Sequence, residues 1–168
     1  MILVTGGAGY IGSHTCIELI EQGHEIVVVD NLINSAVEAI SRIEEITGKS
    51  VAFIEGDVRD ESVLCDIFNQ FKIESVIHFA GLKSVGESNN YPLKYFDNNI
   101  SGILTLLKVM GVNGCKNLVF SSSATVYGSP STLPVAETAP LSSLNPYGRS
   151  KLIIEKILDD LYVADGLW

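Results

Sequence analysis

The stretch ILVTGGAGYIG at residues 2–12 decides the fold class of this chain. A short apolar run leads directly into glycines at positions 6, 9 and 12, and a helical pattern follows. A strand that reverses sharply into a helix favours residues that tolerate positive φ, and close approach of the backbone to a phosphate excludes a Cβ atom. The free N–H groups at the start of such a helix attract anions. The pattern therefore predicts a dinucleotide-binding turn.

Each glycine in this turn has an expected task. We expect Gly6 to make the sharp turn, Gly9 to let the backbone approach a pyrophosphate, and Gly12 to let the helix pack tightly on the sheet. A glycine-rich turn alone is weak evidence because plain turns contain the same pattern. The strand before it and the helix after it strengthen the interpretation.

Short apolar runs alternate with helical patterns along the whole chain. Strands are predicted over residues 2–5, 25–29, 51–55, 75–79 and 117–121. The runs are nearly continuous, as in IVVV at 26–29, which is typical of strands covered on both faces. This alternation predicts an α/β fold of the Rossmann type, a doubly wound parallel sheet with strand order 3-2-1-4-5. The ligand should lie at the carboxyl ends of the strands, beside the first strand.

The segments between the strands are predicted to be helices, each with a start or stop signal. The first helix should run from Gly12 to Gln22 and stop at Gly23. Ser35 with Glu38 has capping-box spacing at the start of the second helix, which should end near Gly48. Asp60 caps the third helix, which runs to about residue 71. A longer helix should follow from Pro92 to about residue 111, and Asn145-Pro146 should open the last one, to about residue 164. Residues 129–144 are predicted to be a loop.

Composition narrows the class of protein. The 168 residues are 46% hydrophobic and 18% charged, with a net charge of -9, so we expect one globular domain that binds neither nucleic acid nor an anionic membrane. The three cysteines form no C-x-x-C pair, and no basic segment precedes an apolar run at the N-terminus. No apolar run approaches the roughly 18 residues that span a bilayer. We therefore expect a cytoplasmic protein without a metal site.

Asp30 supports cofactor binding. It lies at the end of the second predicted strand, 18 residues after Gly12. A carboxylate at this position can accept hydrogen bonds from both ribose hydroxyls and would repel a 2′-phosphate, which favours NAD over NADP. The alternative for Asp30 is a helix cap or a turn residue.

Tyr147 and Lys151 are four residues apart on the last predicted helix, so they share one face. An ammonium group and the positive nicotinamide of NAD would stabilise a phenolate, which could then remove a hydroxyl proton while hydride leaves the same carbon. Ser123, just after the fifth strand, could hydrogen-bond the same substrate oxygen. The alternative is that the tyrosine and the lysine form only a surface contact.

Other polar residues follow the predicted strands. Asp57 could accept a hydrogen bond from an adenine amino group, or it could be only a turn residue. His78 lies in an apolar run and is expected to be a packed core histidine. Lys83 follows the fourth strand and could neutralise cofactor charge. Asn98 and Asn99 are poor helix formers on a predicted helix, which hints at a polar role facing the site.

The chain resembles the extended short-chain dehydrogenase/reductases and, within them, the UDP-glucose 4-epimerases. The resemblance runs from residue 1 to about residue 160. It is carried by TGGAGYIGSH at 5–14, DNL at 30–32, HFAGLKSVGES at 78–88, DNN at 97–99, SSSATVYG at 121–128 and NPYGRSK at 145–151.

The resemblance implies a role for each matching position. It implies that NAD contacts Gly6, Gly9, Tyr10, Ile11, Gly12, Asp30, Asn31, Leu32, Ile33, Asn34, Ser35, Asp57, Val58, Phe79, Ala80, Gly81, Leu82, Lys83 and Asn98. It implies that Ser123, Tyr147 and Lys151 are catalytic and also contact the cofactor.

The implied reaction is inversion at C4 of a UDP-hexose, which interconverts UDP-glucose and UDP-galactose with bound NAD. The related 4,6-dehydratases are disfavoured because Ala124 and Thr125 stand where those enzymes place an Asp-Glu pair. The resemblance also implies a homodimer formed by the helices that start near Pro92 and Pro146.

The family continues beyond this length with a sixth strand and a substrate domain, so we expect an N-terminal part that is inactive alone. The alternatives are a non-catalytic NAD-binding sensor or regulator and another NAD-dependent nucleotide-sugar epimerase. A sensor needs no base, which argues against that alternative, whereas the missing substrate domain favours it.

Overall fold

A computed structural model describes all 168 residues, Met1–Trp168. Its sheet has five parallel strands in the order β3-β2-β1-β4-β5, which confirms the predicted fold class and strand order. Each predicted strand is present, and its ends differ by at most one residue. The strands are β1 Ile2–Thr5, β2 Ile26–Asp30, β3 Ala52–Glu55, β4 Ser75–His78 and β5 Leu118–Phe120.

Seven α-helices connect and follow the strands. They are α1 Tyr10–Glu21, α2 Glu38–Thr47, α3 Glu61–Gln70, α4 Val85–Asn90, α5 Pro92–Phe96, α6 Gly102–Val112 and α7 Pro146–Asp165. A π-helical turn at Asp97–Ser101 and a 3-10 helix at Ala124–Tyr127 complete the set. The sequence did not predict α4, and it predicted one uninterrupted helix where the structure has α5, the π turn and α6. Residues 129–144 contain no helix or strand, as predicted.

Most of the predicted helix ends are confirmed. The side chains of Asp60 and Asn145 cap α3 and α7, and Gly48 ends α2 in the left-handed conformation. The predicted capping box at Ser35 is wrong, because α2 begins at Glu38 and has no side-chain cap. The Ser35 hydroxyl donates instead to a carboxylate oxygen of Asp30, 2.8 Å away. The first helix begins at Tyr10, two residues before its predicted start.

The chain divides into two compact units. The first consists of Met1–Gly81 and Gly102–Ser121, and it holds the whole sheet. The second consists of Leu82–Ser101 and Ser122–Trp168.

The sheet of the first unit is covered on both faces. Val4 and Val28 pack with residues of α1 and α2, while their neighbours Leu3 and Val27, which point to the opposite face, are also fully buried. Burial of each such side chain contributes about 1.5–3 kcal/mol to folding. β5 pairs only with β4, and Val119 on this edge strand is 62% exposed.

The second unit is built around α7. This helix packs against α4, α5, the π turn and the 3-10 helix. Tyr95 of α5 and Ile154 of α7 are buried in this unit, together with Ser150.

No helix is both long enough and apolar enough to cross a membrane. All three cysteines are free thiols.

Candidate functional site

The glycine loop leaves β1 in a conformation that only glycine accepts easily. Gly6 has a φ of +71°, and its N–H donates to the Val29 carbonyl oxygen at 2.8 Å. A Cβ atom on Gly6 would lie 2.5 Å from the backbone nitrogen of Ala80. The loop therefore needs glycine here both for its backbone angle and for the close approach of the segment that follows β4.

The next glycines differ from the expected division of tasks. A Cβ atom on Gly12 would overlap the Gly6 carbonyl oxygen, so Gly12 is required by the loop itself. The glycine that packs on the sheet is Gly7, whose Cβ would lie 2.6 Å from a methyl carbon of Val28. Gly9 has an ordinary φ of -74°. The prediction that Gly12 lets the helix pack on the sheet is thus wrong. The atoms closest to a Cβ on Gly12 belong to Gly6 and Gly7 of the turn itself.

The start of α1 offers an anion site. Gly9 provides no side-chain cap, so N–H groups in the first helical turn remain available to a ligand. Tyr10 and Ile11 in this turn are 74% and 57% exposed. The tight glycine turn and the uncapped helix that follows it together fit a dinucleotide pyrophosphate.

Asp30 connects the end of β2 to the glycine loop. One carboxylate oxygen accepts from the Ala8 N–H at 3.1 Å, and the other accepts from the Leu32 N–H at 3.0 Å and from Ser35. A carboxylate has about four acceptor positions, so one remains for a ligand. The side chain that was predicted to bind ribose therefore also holds the loop in place.

The residues after Asp30 form an irregular loop. Leu32 has a φ of +56°, which is rare for a residue with a side chain and is found mostly in special turns and functional sites. Ile33 and Asn34 are exposed, while Asn31 and Ser35 are half-buried.

The carboxylate of Asp57 is already fully engaged. It accepts two side-chain N–H bonds from Arg59, at 3.0 and 2.8 Å, one from the Arg59 backbone at 2.9 Å, and one from the Asn31 amide at 3.0 Å. The Arg59 guanidinium beside Asp57 lowers the pKa of that carboxyl to about 2. These four donors fill the acceptor positions of Asp57, so an adenine amino group would have to displace one of them. Val58, beside it, is buried.

The segment after β4 begins against β1. The N–H groups of Phe79 and Ala80 both donate to the Thr5 carbonyl oxygen, at 2.9 and 3.1 Å. His78 is 1% exposed and its Nδ1 lies 2.7 Å from the Thr5 hydroxyl, which confirms the prediction of a packed, hydrogen-bonded core histidine. Gly81 ends this part of the segment with a φ of +157°.

In the second unit, the Asn99 side chain binds the backbone of Leu82, where the unit begins. Its side-chain oxygen accepts from the Leu82 N–H at 2.8 Å, and its side-chain nitrogen donates to the Leu82 carbonyl oxygen and to the Ser150 hydroxyl, each at 3.0 Å. Asn98 and Asn99 are both buried in the π turn. The poor helix formers therefore mark an irregular turn, which is frequent at functional sites.

Ser123 caps the 3-10 helix and keeps its own proton available. Its oxygen accepts from the Thr125 N–H at 3.2 Å and from the Thr125 hydroxyl at 2.9 Å. Because both contacts use the oxygen as an acceptor, the Ser123 O–H remains a donor for a third group. This is the capacity that the predicted contact with a substrate oxygen requires.

Tyr147 and Lys151 both lie on α7, as predicted, but their surroundings differ. Tyr147 is half-buried, whereas Lys151 is only 5% exposed. Burial lowers the pKa of Lys151 to about 8. A buried lysine costs stability, so its position one turn after the tyrosine is not that of an ordinary surface contact.

Two contacts that join α7 to the 3-10 helix and to the residues just before it were not predicted from the sequence. A Cβ atom on Gly148 would lie 2.9 Å from the Thr125 carbonyl oxygen, so the glycine permits close packing next to Tyr147. The Ser122 hydroxyl donates to the Glu155 carboxylate, further along α7. The only local signal was the glycine itself, which is unfavourable inside a helix. No group of three or more acidic, histidine or cysteine side chains is arranged to hold a metal ion.

Comparison with known proteins identifies the family of this chain. Residues 2–167 match the family model described as the NAD dependent epimerase/dehydratase family. The chain is 61% identical over 167 residues to the UDP-glucose 4-epimerase of Dictyostelium discoideum and 57% identical to that of Bacillus subtilis, and it covers 48% and 49% of their lengths.

The structural comparison gives the same result. The UDP-glucose 4-epimerase from Bifidobacterium longum, solved in complex with NAD+ and UDP, superposes with a TM-score of 0.96 at 53% identity. The match covers 98% of this chain and 49% of that one. The chain thus spans about half the length of these relatives. It belongs to the NAD-dependent epimerase/dehydratase family.

Proposed function

We propose that this chain is the cofactor-binding and catalytic part of a UDP-glucose 4-epimerase, which interconverts UDP-glucose and UDP-galactose. The observation that carries the proposal is Lys151, a buried lysine one helical turn after Tyr147. Burying an ammonium costs free energy, and a sensor that only bound NAD would not need such a group beside a tyrosine. The similarity to named epimerases over 99% of the chain supports the same function.

For the cofactor, we propose that Gly6, Gly9 and Gly12 cradle the pyrophosphate of NAD at the start of α1. The remaining acceptor position of Asp30 would bind a ribose hydroxyl, and its charge would exclude a 2′-phosphate. At its adenosine end, NAD would contact residues 31–35, Asp57 and Val58. Toward its nicotinamide end, it would contact residues 79–83 and Asn98. NAD, when bound, would supply the hydride acceptor and donor that inversion at C4 of the sugar requires.

For the reaction, Tyr147 would remove the proton from O4 as the hydride leaves C4. The Lys151 ammonium would stabilise the phenolate electrostatically, and the free O–H of Ser123 would hydrogen-bond O4 and hold it in place. Tyr147 would then return the proton to O4 after the keto sugar has turned in the site. No acid or base for elimination at C5 and C6 adjoins Ser123, since Ala124 and Thr125 follow it.

The decisive experiment is Tyr147→Phe in the protein expressed from its complete reading frame. The change removes only the phenol oxygen, so epimerisation of UDP-galactose should fall by about 10²–10⁴-fold while bound NAD is retained. Turnover is measured by a coupled assay, and NAD content by release from the denatured protein.

The matched control is Tyr162→Phe, because Tyr162 is 60% exposed on the same helix. We expect it to retain turnover. Near-normal turnover of Tyr147→Phe would contradict the assigned role, and an unmodified protein that binds NAD without turning over UDP-galactose would support the sensor instead.

We further propose that the 168 residues form a NAD-binding part whose turnover depends on a substrate domain. The relatives are about twice as long, and positioning of a substrate contributes about 7–11 kcal/mol in favourable cases. The chain alone should therefore turn over UDP-galactose more than tenfold slower than the Bacillus subtilis relative assayed alongside. Comparable rates would place substrate binding within these residues.

We also propose that the protein is a cytoplasmic homodimer, with α7 and the segment that starts at Pro92 (α5, the π turn and α6) at the interface. The free thiols suit a reducing compartment. Helices α5 and α7 pack against each other, and Leu93 of α5 is 81% exposed. On α7, apolar residues are only partly buried: Leu152, Ile153, Ile157, Leu158 and Leu161.

A further inference from the structure

Lys83 lies in the middle of a short segment whose backbone is held on both sides. Lys83 itself is exposed, whereas Leu82 before it is 3% exposed. The Leu82 N–H donates to Asn99, and the Ser84 N–H donates to the Tyr95 hydroxyl oxygen at 3.0 Å. Because Tyr95 and Asn99 are four residues apart, neighbouring parts of one helical segment hold both ends.

Tyr95 is held in the second unit by both its ring and its hydroxyl group. Its side chain is fully buried, and its hydroxyl donates to the Glu87 carboxylate at 2.7 Å while it accepts from Ser84. The other oxygen of Glu87 accepts from Lys94 at 2.7 Å. Burial, and then the Glu87 carboxylate, raise the pKa of Tyr95, so the hydroxyl keeps its proton and remains a donor.

The Tyr95 hydroxyl makes one hydrogen bond more than its own burial requires. A buried phenol needs one partner, and Glu87 already provides it. The additional bond to the Ser84 N–H fixes the residue that begins α4 and directly follows Lys83. A lysine side chain has several rotatable bonds, so a fixed backbone limits the volume that its ammonium can reach.

We propose that Tyr95 is a positioning residue, whose hydroxyl fixes the backbone at Ser84 and thereby holds the Lys83 ammonium for a diphosphate group. This rests on the proposed function, in which Lys83 belongs to the NAD site. The shared chemistry is a diphosphate, which NAD and a UDP-sugar both carry. Of these two ligands, Lys83 would bind the diphosphate of the cofactor.

The test is Tyr95→Phe in the protein expressed from its complete reading frame. The change removes the hydroxyl and keeps the buried ring. Calorimetric titration should show NAD bound about three- to tenfold more weakly, the size of effect expected for one lost hydrogen bond. UDP affinity should be unchanged. Tyr91→Phe is the matched control, because Tyr91 is 61% exposed immediately before α5, and it should leave NAD affinity unchanged.

A double-mutant cycle separates positioning from a general structural role. Lys83→Met should weaken NAD binding, and Tyr95→Phe added to Lys83→Met should weaken it no further, because the hydroxyl acts through the lysine. Additive losses would overturn the proposal, as would unchanged NAD affinity in Tyr95→Phe. A loss confined to UDP would also overturn it and assign Lys83 to the nucleotide sugar.

A second pair of variants covers the case in which Tyr95→Phe does not fold. Glu87→Gln keeps an acceptor for the Tyr95 hydroxyl and should retain NAD affinity, whereas Glu87→Leu removes the acceptor and should weaken it. Equal affinities in the two variants would contradict the proposal. If the unmodified protein bound no NAD, the proposed function would fail together with this inference, whereas a failed cycle alone would overturn only the inference.

Discussion

At the scale of single residues, the Asp30 carboxylate combines two tasks. It holds the glycine loop through Ala8, and it orders the loop that follows β2 through Leu32 and Ser35. A side chain that only bound ribose would need none of these bonds. The negative charge that selects the cofactor is therefore also part of the local fold.

We predict that Asp30→Asn narrows the preference for NAD over NADP by about tenfold, because it removes the charge that repels a 2′-phosphate. Titration calorimetry with both cofactors measures the change. Glu55→Gln is the matched control, since Glu55 pairs with Asp30 in the sheet register and is exposed. Equal affinity of the unmodified protein for the two cofactors would contradict the role of Asp30.

Lys151 gives a prediction about pH. Burial lowers its pKa to about 8 from 10.5, so the folded protein binds fewer protons than the unfolded chain between these values. Stability therefore rises with pH across this window, and the cost of the buried charge is fully present below about pH 8. Removing the lysine should relieve that cost.

Lys151→Met should consequently raise the free energy of unfolding at pH 7 by up to roughly 3 kcal/mol, and the gain should shrink as the pH approaches 10. Urea unfolding at pH 7 and pH 10 measures it. Lys156→Met, whose lysine side chain is 63% exposed, should show little change at either pH. A gain that did not depend on pH would mean that burial is not the cause.

At the scale of elements, the turn from β1 into α1 depends on a glycine backbone and on a close neighbour. Gly6 and Gly23 both have positive φ, +71° and +86°, but only Gly6 lies against other atoms. The two glycines therefore separate the cost of the backbone angle from the cost of the contact.

We predict that Gly23→Ala costs about 1–2 kcal/mol of stability for its backbone angle. Gly6→Ala should cost about 1–3 kcal/mol more, because its Cβ atom would collide with the backbone of Ala80. Urea unfolding followed by circular dichroism gives both values. Equal costs would show that the segment after β4 can move away.

At the scale of the whole molecule, the proposed interface determines the oligomeric state. If α7 and the segment from α5 to α6 form this interface, the protein should sediment as a dimer at micromolar concentration. Ile153→Glu, which places a charge on the exposed face of α7, should shift it to a monomer. Ile46→Glu is the control, because Ile46 is 60% exposed on α2, outside the proposed interface. An unmodified protein that sediments as a monomer would rule out the dimer.

Sequence alone was sufficient for the sheet order and for the glycine turn. Both follow from local properties, namely the period of the apolar residues, the backbone freedom of glycine, and the handedness of strand–helix–strand crossovers. Asp30 was found for the same reason, since its place at the end of a strand is set by spacing along the chain. The capping box at Ser35 failed because α2 begins only at Glu38, with Val37 at its N-cap position, and the Ser35 hydroxyl donates to Asp30 instead.

Only the tertiary structure decided how the second unit holds its functional residues. Asn99 reaches Leu82, 17 residues away, and Ser150, 51 residues away, and Ser122 reaches Glu155 across 33 residues. Such contacts depend on how the helices pack, which spacing along the chain does not encode. The sequence by itself determined which groups are available for the chemistry, and packing between distant segments determined what holds them.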